Sequence, residues 1–442
     1  MSVLDERQIG NEFFDQPVNT VALVLIEPSY YTIASPCKVF VFLLVEGALF
    51  GVRRCRKLER GGLVKAVIMA GGKGTRLRPL TSNQPKPMIS IVNKPCMEHI
   101  VELLRRHGFE DIVVTLEYMP EVIQGYFGDG SEWGMNIEYS VEEEPLGTAG
   151  SVKYVEDRLG ERFVIVSGDA LTDVNLTKAL SFHEERGAET TLVLKKVDDP
   201  SGFGIVTIEE DGRVTDFMEK PDEEEVFSYT ANTGIYILES SVLEDIPEGQ
   251  EYDWSKEQFP KMLEEGRSLY GYVTEGYWED IGNIEQYMGA QRAVLDGEVE
   301  GVEPAGERLK EGVYVGRDAR VEEDQLEGPV VLGDNVRLSS GARVGPYSVL
   351  ASNVSVGEGT SIVRSTVGGE STIGEEAELD GALVMRACNI GSRTQVLEGS
   401  ALGDGTSVGE GATVTAGVNV LPGESIEGGT EVTESLMPED EE

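Results

Sequence analysis

The stretch VKAVIMAGGKGTRLRPLT (residues 64–81) opens the longest regular part of this chain. Its first six residues are mostly apolar and run straight into glycines, which predicts a short buried strand over 64–69 and a tight loop after it. Glycines directly after a buried strand allow backbone N–H groups to close on phosphate oxygens. The spacing matches neither the dinucleotide fingerprint GxGxxG nor the P-loop GxxxxGK[ST]. The loop therefore predicts a phosphate site of another kind.

Two cations accompany this loop. Arg76 lies inside it, and Lys86 stands between two prolines in PKPM, residues 85–88. Fixed guanidinium and ammonium groups beside a glycine cradle suit a triphosphate. Solvated surface cations are the plainer interpretation, but a chain with 37 Lys and Arg against 80 Asp and Glu has few cations to place. The pair therefore favours a nucleotide site.

Strand and helix signals alternate after the loop. Apolar spacing predicts helices over 96–107, 151–159, 176–186 and 284–295, and strands over 111–116, 163–166 and 188–197. This alternation indicates an α/β domain with a Rossmann-like, mostly parallel sheet. The pattern ends near residue 296.

A repeat with a period of six residues fills most of the remaining chain. Its aliphatic positions, with one slip of phase before Val367 and another before Ile390, are Leu332, Leu338, Val344, Leu350, Val356, Ile362, Val367, Ile373, Leu379, Met385, Ile390, Val396, Leu402, Val408, Val414, Val420, Ile426 and Val432. Neither a helix nor an ordinary strand has this period, whereas a triangular coil with one short strand per face does. The flanking small residues, often glycine, suit tight corners. The repeat predicts a left-handed parallel β-helix.

Further motifs follow the loop in order. They are EEEPLGTAG (142–150), SGD (167–169), EKP (219–221), NTG (232–234) and WEDIG (278–282). With GGKGTRLRPLT and PKPM, they make residues 64–291 resemble the sugar-1-phosphate nucleotidyltransferases, also called nucleoside-diphosphate-sugar pyrophosphorylases. A C-terminal left-handed β-helix is common in that family. The EEEPLGTAG segment is most similar to the mannose-1-phosphate guanylyltransferases.

The resemblance implies a role for each motif. It assigns nucleotide binding to Ala70, Gly71, Gly72, Gly74, Thr75, Glu143, Glu144 and Gly147. It assigns sugar-phosphate binding to Gly168, Glu219, Lys220, Asn232 and Gly234. Arg76, Lys86 and Lys220 are the implied catalytic cations. Asp169 and Asp280 are the implied ligands of Mg²⁺, a hard ion that prefers carboxylate and phosphate oxygens.

Three other side chains receive structural interpretations. Asp173 is a weaker metal candidate and is expected to cap the helix that follows it. Tyr229 and Trp278 could stack on a ligand, but both are expected to pack in the core.

The implied reaction is in-line attack of a sugar 1-phosphate oxygen on the α-phosphorus of a nucleoside triphosphate, with pyrophosphate leaving. A phosphate dianion is already a nucleophile, so catalysis reduces to alignment and charge neutralisation. Guanine presents two adjacent N–H donors, which suit a carboxylate, whereas uracil and thymine suit an amide. Glu143 or Glu144 therefore favours GTP with mannose 1-phosphate. A glucose-1-phosphate thymidylyl- or uridylyltransferase is the alternative.

Two other functions stay open. An acyltransferase in the β-helix would need a histidine base within the coil, but His99, His107 and His183 all precede the repeat. The coil is therefore interpreted as an oligomerisation or regulatory module. A catalytically inactive relative that binds nucleotide sugars as a regulatory subunit would be expected to lose a loop cation or a metal carboxylate, and this chain keeps them.

The net charge of −43 excludes some partners and indicates an environment. A surface this acidic repels nucleic acid and anionic membranes, so neither is an expected partner. The acidic residues are spread through the chain, which suits a halophilic cytoplasm where salt screens self-repulsion. Four scattered cysteines without a CxxC pair fit a reducing cytoplasm.

Composition divides the chain into five predicted segments. Residues 1–63 carry seven acidic and seven basic side chains, unlike the rest, and are predicted to be an extension outside the fold. Residues 64–296 form the predicted nucleotidyltransferase domain, 297–311 a linker, 312–434 the β-helix and 435–442 an acidic tail. Because the faces of such coils commonly pair, a homo-oligomer is expected, with the β-helix as one possible interface.

Overall fold

The computed structural model describes residues 64–436 and the backbone of two short strands, Phe42–Val45 and Ala48–Gly51, which pair antiparallel. Those strands belong to the unit Met1–Gly62, and everything described below belongs to the unit Leu63–Glu442. The rest of the predicted extension and residues 437–442 of the predicted acidic tail lie outside the described residues.

Strands and helices alternate through the first part of the larger unit. The strands are β1 (Lys65–Met69), β2 (Asp111–Leu116), β3 (Asn136–Val141), β4 (Arg162–Ser167), β5 (Ala170–Thr172), β6 (Thr190–Lys196), β7 (Gly204–Ile208), β8 (Val214–Glu219), β9 (Thr230–Glu239), β10 (Leu269–Val273) and β11 (Trp278–Asp280). The helices are α1 (Cys96–Arg106), α2 (Pro120–Phe127), α3 (Gly147–Lys153), α4 (Leu176–Arg186), α5 (Phe259–Glu264) and α6 (Ile284–Leu295).

Smaller elements connect them. The 3₁₀ turns are Thr75–Leu77, Lys86–Met88, Ser131–Trp133, Glu156–Arg158, Glu223–Glu225, Ser240–Asp245 and, in the coil, Glu323–Gln325. A π-helical turn, Trp254–Gln258, leads directly into α5. Ser90–Ile91 and Lys94–Pro95 form a small hairpin.

The large sheet is mixed, and its centre is parallel. Its strand order is β8-β7-β9-β4-β1-β2-β3, and β6 joins by pairing with β9 and β10. β1 runs parallel to β2, with Ala66 opposite Ile112, and parallel to β4, with Ala66 opposite Val164. β9 runs antiparallel to β4, β6 and β7. The carboxyl ends of β1, β2 and β4 therefore lie at one edge, where open α/β sheets bind ligands.

Helices cover both faces of this sheet. Ala66 and Ile68 of β1 pack in a cluster with α1, α2 and α4, whereas Val67 packs in a second cluster with α3 and α5. A central parallel strand is buried on both faces, and its sequence is therefore a continuous apolar run. The predicted Rossmann-like α/β domain is confirmed.

Some elements differ from the sequence prediction. The helix predicted over 151–159 runs instead over Gly147–Lys153 and is followed by the 3₁₀ turn Glu156–Arg158. The edge strands β3 and β8 were not predicted, and neither were β5, β7, β9, β10 and β11. β3 and β8 mix polar with apolar residues and are only partly buried, so their sequences resemble polar loops.

The second part of the unit is a coil of three parallel sheets. The first face holds Val313–Val315, Val330–Leu332, Ser348–Leu350, Thr366–Val367, Leu383–Val384, Ala401–Leu402 and Asn419–Val420. The second face holds Arg337–Leu338, Ser355–Val356, Thr372–Ile373, Asn389–Ile390, Ser407–Val408 and Ser425–Ile426. The third face holds Arg343–Val344, Ser361–Val363, Glu378–Asp380, Gln395–Val396, Thr413–Val414 and Glu431–Val432. This is the predicted β-helix.

The aliphatic column inside the coil follows the predicted repeat with one correction. Val384 is fully buried in the coil core, whereas Met385, the predicted inward residue, lies outside it and packs only partly buried against the first domain. The second slip of phase therefore falls after Leu379 and not before Ile390. Val384 and Met385 are adjacent and both apolar, so the sequence alone did not show which of them points into the coil.

The first face of the coil packs against the first domain. Its outward side chains Val331, Val349 and Leu383 share one buried cluster with α6 and with Leu77 and Leu80 of the glycine-loop region. Polar contacts reinforce the packing, since Gln291 Nε2 donates to Thr366 Oγ1 at 2.6 Å. The rear of the glycine loop and the coil therefore share a core.

The segment 297–311, predicted as a linker, is partly ordered against this core. It carries an antiparallel strand, Glu307–Lys310, paired with the first face, and it buries Val299 and Val302 in the shared cluster. Within residues 64–436, no helix has both the length and the apolar character needed to cross a membrane.

Candidate active site

The glycine loop folds over Lys86. Gly74 adopts a φ of +64°, and a β-carbon there would lie 3.0 Å from Lys86 Cβ and from Thr81 Cγ2. Thr81 Oγ1 donates to Gly74 O at 2.7 Å and closes the loop. Only a glycine combines this left-handed backbone with so close an approach. Ala70 is buried, whereas Gly72 and Thr75 are exposed and open to a ligand.

Lys86 lies between the two predicted metal carboxylates. Its Nζ is 2.7 Å from Asp169 Oδ2 and 3.0 Å from Asp280 Oδ1, and its side chain is 10% exposed. Burial by itself lowers the pKa of Lys86, but the two carboxylates outweigh it and hold that pKa above its usual value. Burial raises the pKa of Asp169, and here the ammonium outweighs burial and holds it below its usual value. Lys86 and Asp169 are therefore both charged at neutral pH.

Strand register explains how two distant motifs meet. β5 pairs antiparallel with β11, so Asp280 lies opposite Ala170, the neighbour of Asp169. Gly168 lies in the turn between β4 and β5, and a β-carbon there would lie 3.0 Å from Ile68 Cγ2 and 3.2 Å from Met69 O. The absence of a side chain at Gly168 therefore allows the ends of β1 and β4 to close behind the carboxylates.

Arg76 stands at the mouth of a cavity of about 490 Å³ beside these groups. Arg76 and Asp280 line the cavity together with Lys195 and Lys196 from the end of β6. A β-carbon placed on Gly282 would lie 3.7 Å from both Arg76 Nη2 and Asp280 Oδ2. The guanidinium and the carboxylate therefore flank the same small space, which is large enough for phosphate groups.

The residues assigned to the sugar, apart from Gly168, lie on β9, at the end of β8 and directly after it. Asn232 is buried, and its Nδ2 donates to Tyr236 OH at 2.9 Å and to Ser255 Oγ at 3.3 Å. Gly234 has a φ of +75°, and its N–H donates to Asn232 Oδ1 at 3.3 Å. Burial raises the pKa of Glu219 despite the adjacent Lys220. These groups form a polar pocket against β9.

Lys220 adopts an unusual backbone conformation. Its φ is +46°, although it carries a side chain, and its N–H donates to Phe203 O at 3.1 Å. The side chain is 59% exposed, and Nζ lies 4.0 Å from Glu219 Oε1. Strained backbone of this kind is frequent at functional sites. The ammonium is available to an anion that enters the pocket.

The segment assigned to the base presents a carboxylate that sequence reasoning passed over. Glu143 and Glu144 are exposed, whereas Glu142 is half-buried and its Oε2 accepts from Leu146 N at 3.0 Å. Burial raises the pKa of Glu142, and the charge of Glu117 adds to the rise while the Leu146 N–H opposes it. Only its position directly after β3 could have singled out Glu142 in the sequence.

Three structural interpretations can be checked directly. Trp278 is buried as expected, and its Nε1 donates to Thr233 O at 3.0 Å. Tyr229 is 61% exposed, so the expectation of core packing was wrong, since its loop lies outside the sheet. Asp173 does not cap α4, because Asn175 does; its carboxylate instead accepts from Tyr277 N at 2.6 Å and Glu300 N at 2.7 Å.

Comparison with known proteins places this geometry in a family. The family model described as nucleotidyl transferase matches residues 65–297, which is more than half of the chain. The chain belongs to the nucleotidyl transferase family. A second model, described as the GMPPB C-terminal domain, matches residues 326–435 of the coil. The reaction of this nucleotidyl transferase is the transfer of a nucleotidyl group to a sugar 1-phosphate.

Several relatives resemble this nucleotidyl transferase over most of its length. A UTP–glucose-1-phosphate uridylyltransferase of Synechocystis sp. is 38% identical over 337 residues, covering 73% of this chain and 87% of the relative. A mannose-1-phosphate guanylyltransferase of Mycobacterium tuberculosis is 35% identical over 285 residues, covering 64% and 77%. Mannose-1-phosphate guanylyltransferase 1 of Arabidopsis thaliana is 35% identical over 333 residues, covering 73% and 91%.

The carboxylates of this nucleotidyl transferase fit a divalent ion that arrives with a nucleotide. Within residues 64–436 no group of three or more His, Cys, Asp or Glu side chains could enclose a metal by itself. Asp169 and Asp280, however, already converge on one cation, the Lys86 ammonium. Mg²⁺ is commonly held by one or two carboxylates together with substrate phosphates. Transferases of this family generally use a divalent metal, in agreement with that donor set.

Proposed function

We propose that this enzyme transfers the guanylyl group of GTP to mannose 1-phosphate, giving GDP-mannose and pyrophosphate, with Mg²⁺ as cofactor. The observation that carries the choice of base is the half-buried carboxylate of Glu142, fixed by Leu146 N–H beside the glycine loop. Guanine offers two adjacent N–H donors, and a carboxylate accepts both in a bidentate arrangement. The names of the Mycobacterium and Arabidopsis relatives support the same pair of substrates.

The glycine loop and the base segment form the proposed nucleotide site. Gly71, Gly72, Gly74 and Thr75 offer backbone N–H groups to the triphosphate. Ala70 belongs to the same proposed site, but its N–H donates to Thr115 O at 3.0 Å. Gly147 lies at the start of α3, where a β-carbon would lie 2.7 Å from Tyr252 O. Because Gly147 has no side chain, the base segment packs closely against Tyr252, and its other side is left to the base. Glu143 and Glu144 are exposed at the rim of this site.

Charge neutralisation drives the proposed reaction. A sugar 1-phosphate oxygen forms a bond to the α-phosphorus while the bond to the β-phosphate oxygen breaks and pyrophosphate leaves. Arg76 and Lys86 bind and orient the phosphates of GTP, and Lys220 holds the phosphate of the sugar. Mg²⁺ bound by Asp169 and Asp280 would supply further neutralisation of phosphate oxygens. The cavity beside Arg76, with the exposed Lys196, is the proposed exit of pyrophosphate.

Orientation of the sugar falls to the pocket on β9. Glu219 and Asn232 form hydrogen bonds with the hydroxyl groups of the sugar, and Gly234 allows the sugar ring to approach the backbone. The Asn232 amide is already fixed by Tyr236 and Ser255, so it is held in one orientation before substrate arrives. A preorganised pocket of this kind lowers the entropic cost of aligning two substrates.

A second candidate is a glucose-1-phosphate uridylyltransferase. The Synechocystis relative, which carries that name, is 38% identical to this chain, against 35% for the Mycobacterium and Arabidopsis guanylyltransferases. Uracil offers a single N–H donor, so the Glu142 carboxylate would make one hydrogen bond where guanine allows two. The two candidates therefore differ in how strongly activity depends on Glu142.

The test is release of pyrophosphate by purified protein in high KCl with Mg²⁺. GTP, dTTP, UTP, ATP and CTP are crossed with mannose, glucose, galactose and N-acetylglucosamine 1-phosphates. We expect release with GTP and mannose 1-phosphate, and its loss in Asp169→Ala. Preference for UTP with glucose 1-phosphate would establish the second candidate. Binding of GDP-mannose without any turnover would point to a regulatory subunit that has lost catalysis.

We further propose a homo-oligomer in a halophilic cytoplasm. The second and third faces of the coil carry outward polar side chains and remain available for pairing with another copy. Sedimentation velocity in high KCl measures the assembly directly. A monomer at micromolar concentration would contradict the homo-oligomer.

A further inference from the structure

One short segment links the base side of the site to the sugar side. Tyr252 N donates to Leu146 O at 2.9 Å, and Tyr252 O accepts from Ala149 N at 2.9 Å and Gly150 N at 3.0 Å. These contacts fasten the segment to the first turn of α3, which follows the proposed base site. The next residues of the same segment form the π-helical turn Trp254–Gln258. Single π-helical turns are frequent at functional sites.

The carboxylate of Asp253 is the connecting group. Its Oδ2 accepts from Thr148 Oγ1 at 2.7 Å, and Thr148 Oγ1 in turn accepts from Trp254 N at 3.0 Å. Its Oδ1 accepts from Ser255 N at 2.8 Å and Lys256 N at 3.1 Å. One oxygen of Asp253 therefore holds α3, and the other holds the start of the π-helical turn.

The π-helical turn delivers Ser255 to the sugar pocket. Ser255 Oγ accepts from Asn232 Nδ2 at 3.3 Å and also hydrogen bonds with Glu219 and Tyr236. Asn232 and Glu219 are the residues proposed to contact sugar hydroxyls. The chain of contacts therefore runs without a gap from Thr148, through Asp253 and Ser255, to both of them.

We propose that Asp253 is a positioning residue that couples the two substrate sites, so that nucleotide binding at α3 and sugar 1-phosphate binding at Asn232 favour each other. This inference rests on the proposed function, since it assigns the two ends of the link to the two substrates. Nucleotide bound at residues 142–150 fixes α3 and with it the Thr148 hydroxyl. Asp253 then holds the π-helical turn in the position in which Ser255 supports Asn232. Coupling of this kind is reciprocal by thermodynamic necessity.

A purely structural role for Asp253 is the competing explanation, because its Oδ1 caps the helical segment. The Thr148 hydroxyl tests the link, since it contacts Asp253 Oδ2 and Trp254 N, while both cap contacts on Oδ1 stay in place without it. Thr148→Val removes the hydroxyl and keeps the shape, whereas Thr148→Ser keeps the hydroxyl. Glu257→Gln is the matched control, because Glu257 Oε2 accepts from Asp253 N at 2.6 Å on the other side of the same turn.

The experiment measures binding of mannose 1-phosphate by calorimetry with Mg²⁺, with and without a GTP analogue whose α,β-bridge is a methylene group. In the wild type we expect the analogue to tighten mannose 1-phosphate binding by about fivefold or more. Thr148→Val is expected to bring this ratio close to one, while Thr148→Ser and Glu257→Gln retain it. Urea unfolding first establishes that each variant is folded. The unfolding equilibrium constant of each variant should lie within twofold of the wild-type value. Asp253→Asn keeps only one of the two acceptor oxygens. We therefore expect the analogue to tighten mannose 1-phosphate binding less in this variant than in the wild type.

The outcomes separate this inference from the proposed function. If the pyrophosphate assay selects another pair of substrates, the same binding experiment is carried out with that pair and tests the coupling independently. A ratio near one in the wild type overturns the coupling even where turnover is normal. A ratio in folded Thr148→Val equal to that of the wild type also overturns it, and leaves Asp253 as a helix cap.

Discussion

Lys86 is buried between two carboxylates, so one ammonium group forms an ion pair with each of them at the centre of the site. The isolated burial of any of the three would be costly, but each is satisfied by its partners. Removing one partner of such a group leaves uncompensated buried charge, which costs more than the pair contributes. We therefore expect Lys86 to contribute to stability in addition to the phosphate binding that we propose for it.

We expect Lys86→Met to lose about 3 kcal/mol of unfolding free energy at pH 7 and to lower turnover by about 100-fold or more. Without the ammonium, burial and the facing Asp280 raise the pKa of Asp169 above its unfolded value. A carboxyl group whose pKa is higher in the folded than in the unfolded state stabilises the fold as pH falls. The variant should therefore recover part of its lost unfolding free energy between pH 7 and pH 5. The wild type, where Lys86 holds the pKa of Asp169 low, gains nothing from that source. Urea unfolding at both pH values measures the difference.

Lys94→Met is the control for that experiment. Lys94 Nζ lies 3.1 Å from Glu102 and 3.9 Å from Glu98, and the Lys94 side chain is 23% exposed, against 10% for Lys86. Pairs of this kind contribute about 0–1 kcal/mol. Equal losses of stability in the two variants would contradict a special role for Lys86.

Glu142 gives a prediction on base selection. Burial raises its pKa above the usual value of 4.5, and Glu117 adds to the rise. Protonation removes an acceptor for guanine, so the KM for GTP should increase as pH falls from 7 towards 5. Glu142→Gln should raise the KM for GTP at pH 7 by about 10-fold or more, since a hydrogen bond to a charged group contributes about 1.5–3 kcal/mol. The variant should also lose the pH dependence.

Steady-state kinetics with GTP and UTP across pH measures both effects. Glu144→Gln is the matched control, because its carboxylate is exposed two residues away. If Glu144→Gln raises the KM for GTP as much as Glu142→Gln does, the base contact belongs to the exposed carboxylates and our assignment to Glu142 is wrong.

At the scale of elements, the coil supports the rear of the active site. Leu383 on the first face and Leu77 and Leu80 of the glycine-loop region share one buried cluster. The coil thereby packs against the buried side of the glycine-loop region. A regular coil provides a rigid support because each strand is paired on both sides by its neighbours.

We expect Leu383→Ala to lower the unfolding free energy by about 2–4 kcal/mol and to reduce kcat under conditions where the protein stays folded. The cavity left behind loosens the packing of Leu77 and Leu80, and small displacements of catalytic cations are costly. Thermal unfolding and initial rates at 20 °C measure the two effects. Thr372→Ala, on the exposed second face, serves as the control. A stability loss with unchanged kcat would show that the coil holds the domain but not the loop.

The elements themselves were predictable to different degrees. The helices over 176–186 and 284–295 were predicted with the observed bounds, because strong caps and apolar spacing are local signals. The edge strands β3 and β8 were not predicted, because their pairing partners supply the order that their own sequences lack. The second slip of phase was placed one repeat too late, because only packing inside the coil distinguishes the adjacent apolar side chains Val384 and Met385.

At the scale of the whole molecule, the net negative charge is the property with the largest expected effect on stability. The chain carries a net charge of −43, and its first 63 residues contribute nothing to it. Repulsion of this size destabilises a compact state unless salt screens it. We therefore expect the unfolding midpoint to rise by about 5 °C or more between 0.1 and 2 M KCl, which corresponds to roughly 2 kcal/mol.

Calorimetry across a KCl series measures that rise. Sucrose of equal osmolality, which leaves charge unscreened, should raise the midpoint less. A midpoint that does not change with KCl would contradict the halophilic interpretation and assign the acidity to another cause.

The amino-acid sequence alone was sufficient for the two-part architecture, the glycine loop and the family. A strand followed by glycines, a period of six and a set of short motifs are all local patterns, and local patterns survive without knowledge of the fold. They also named Lys86, Asp169 and Asp280 as members of one site.

Only the tertiary structure decided how those members are arranged. The register of β5 with β11 brings Asp280 to Asp169, burial distinguishes Glu142 from its two neighbours, and the Thr148 hydroxyl meets Asp253 across a long separation in sequence. Each of these facts depends on which distant segments pack together. Burial, side-chain direction and the resulting pKa shifts are set by that packing, so no local pattern in the sequence contains them.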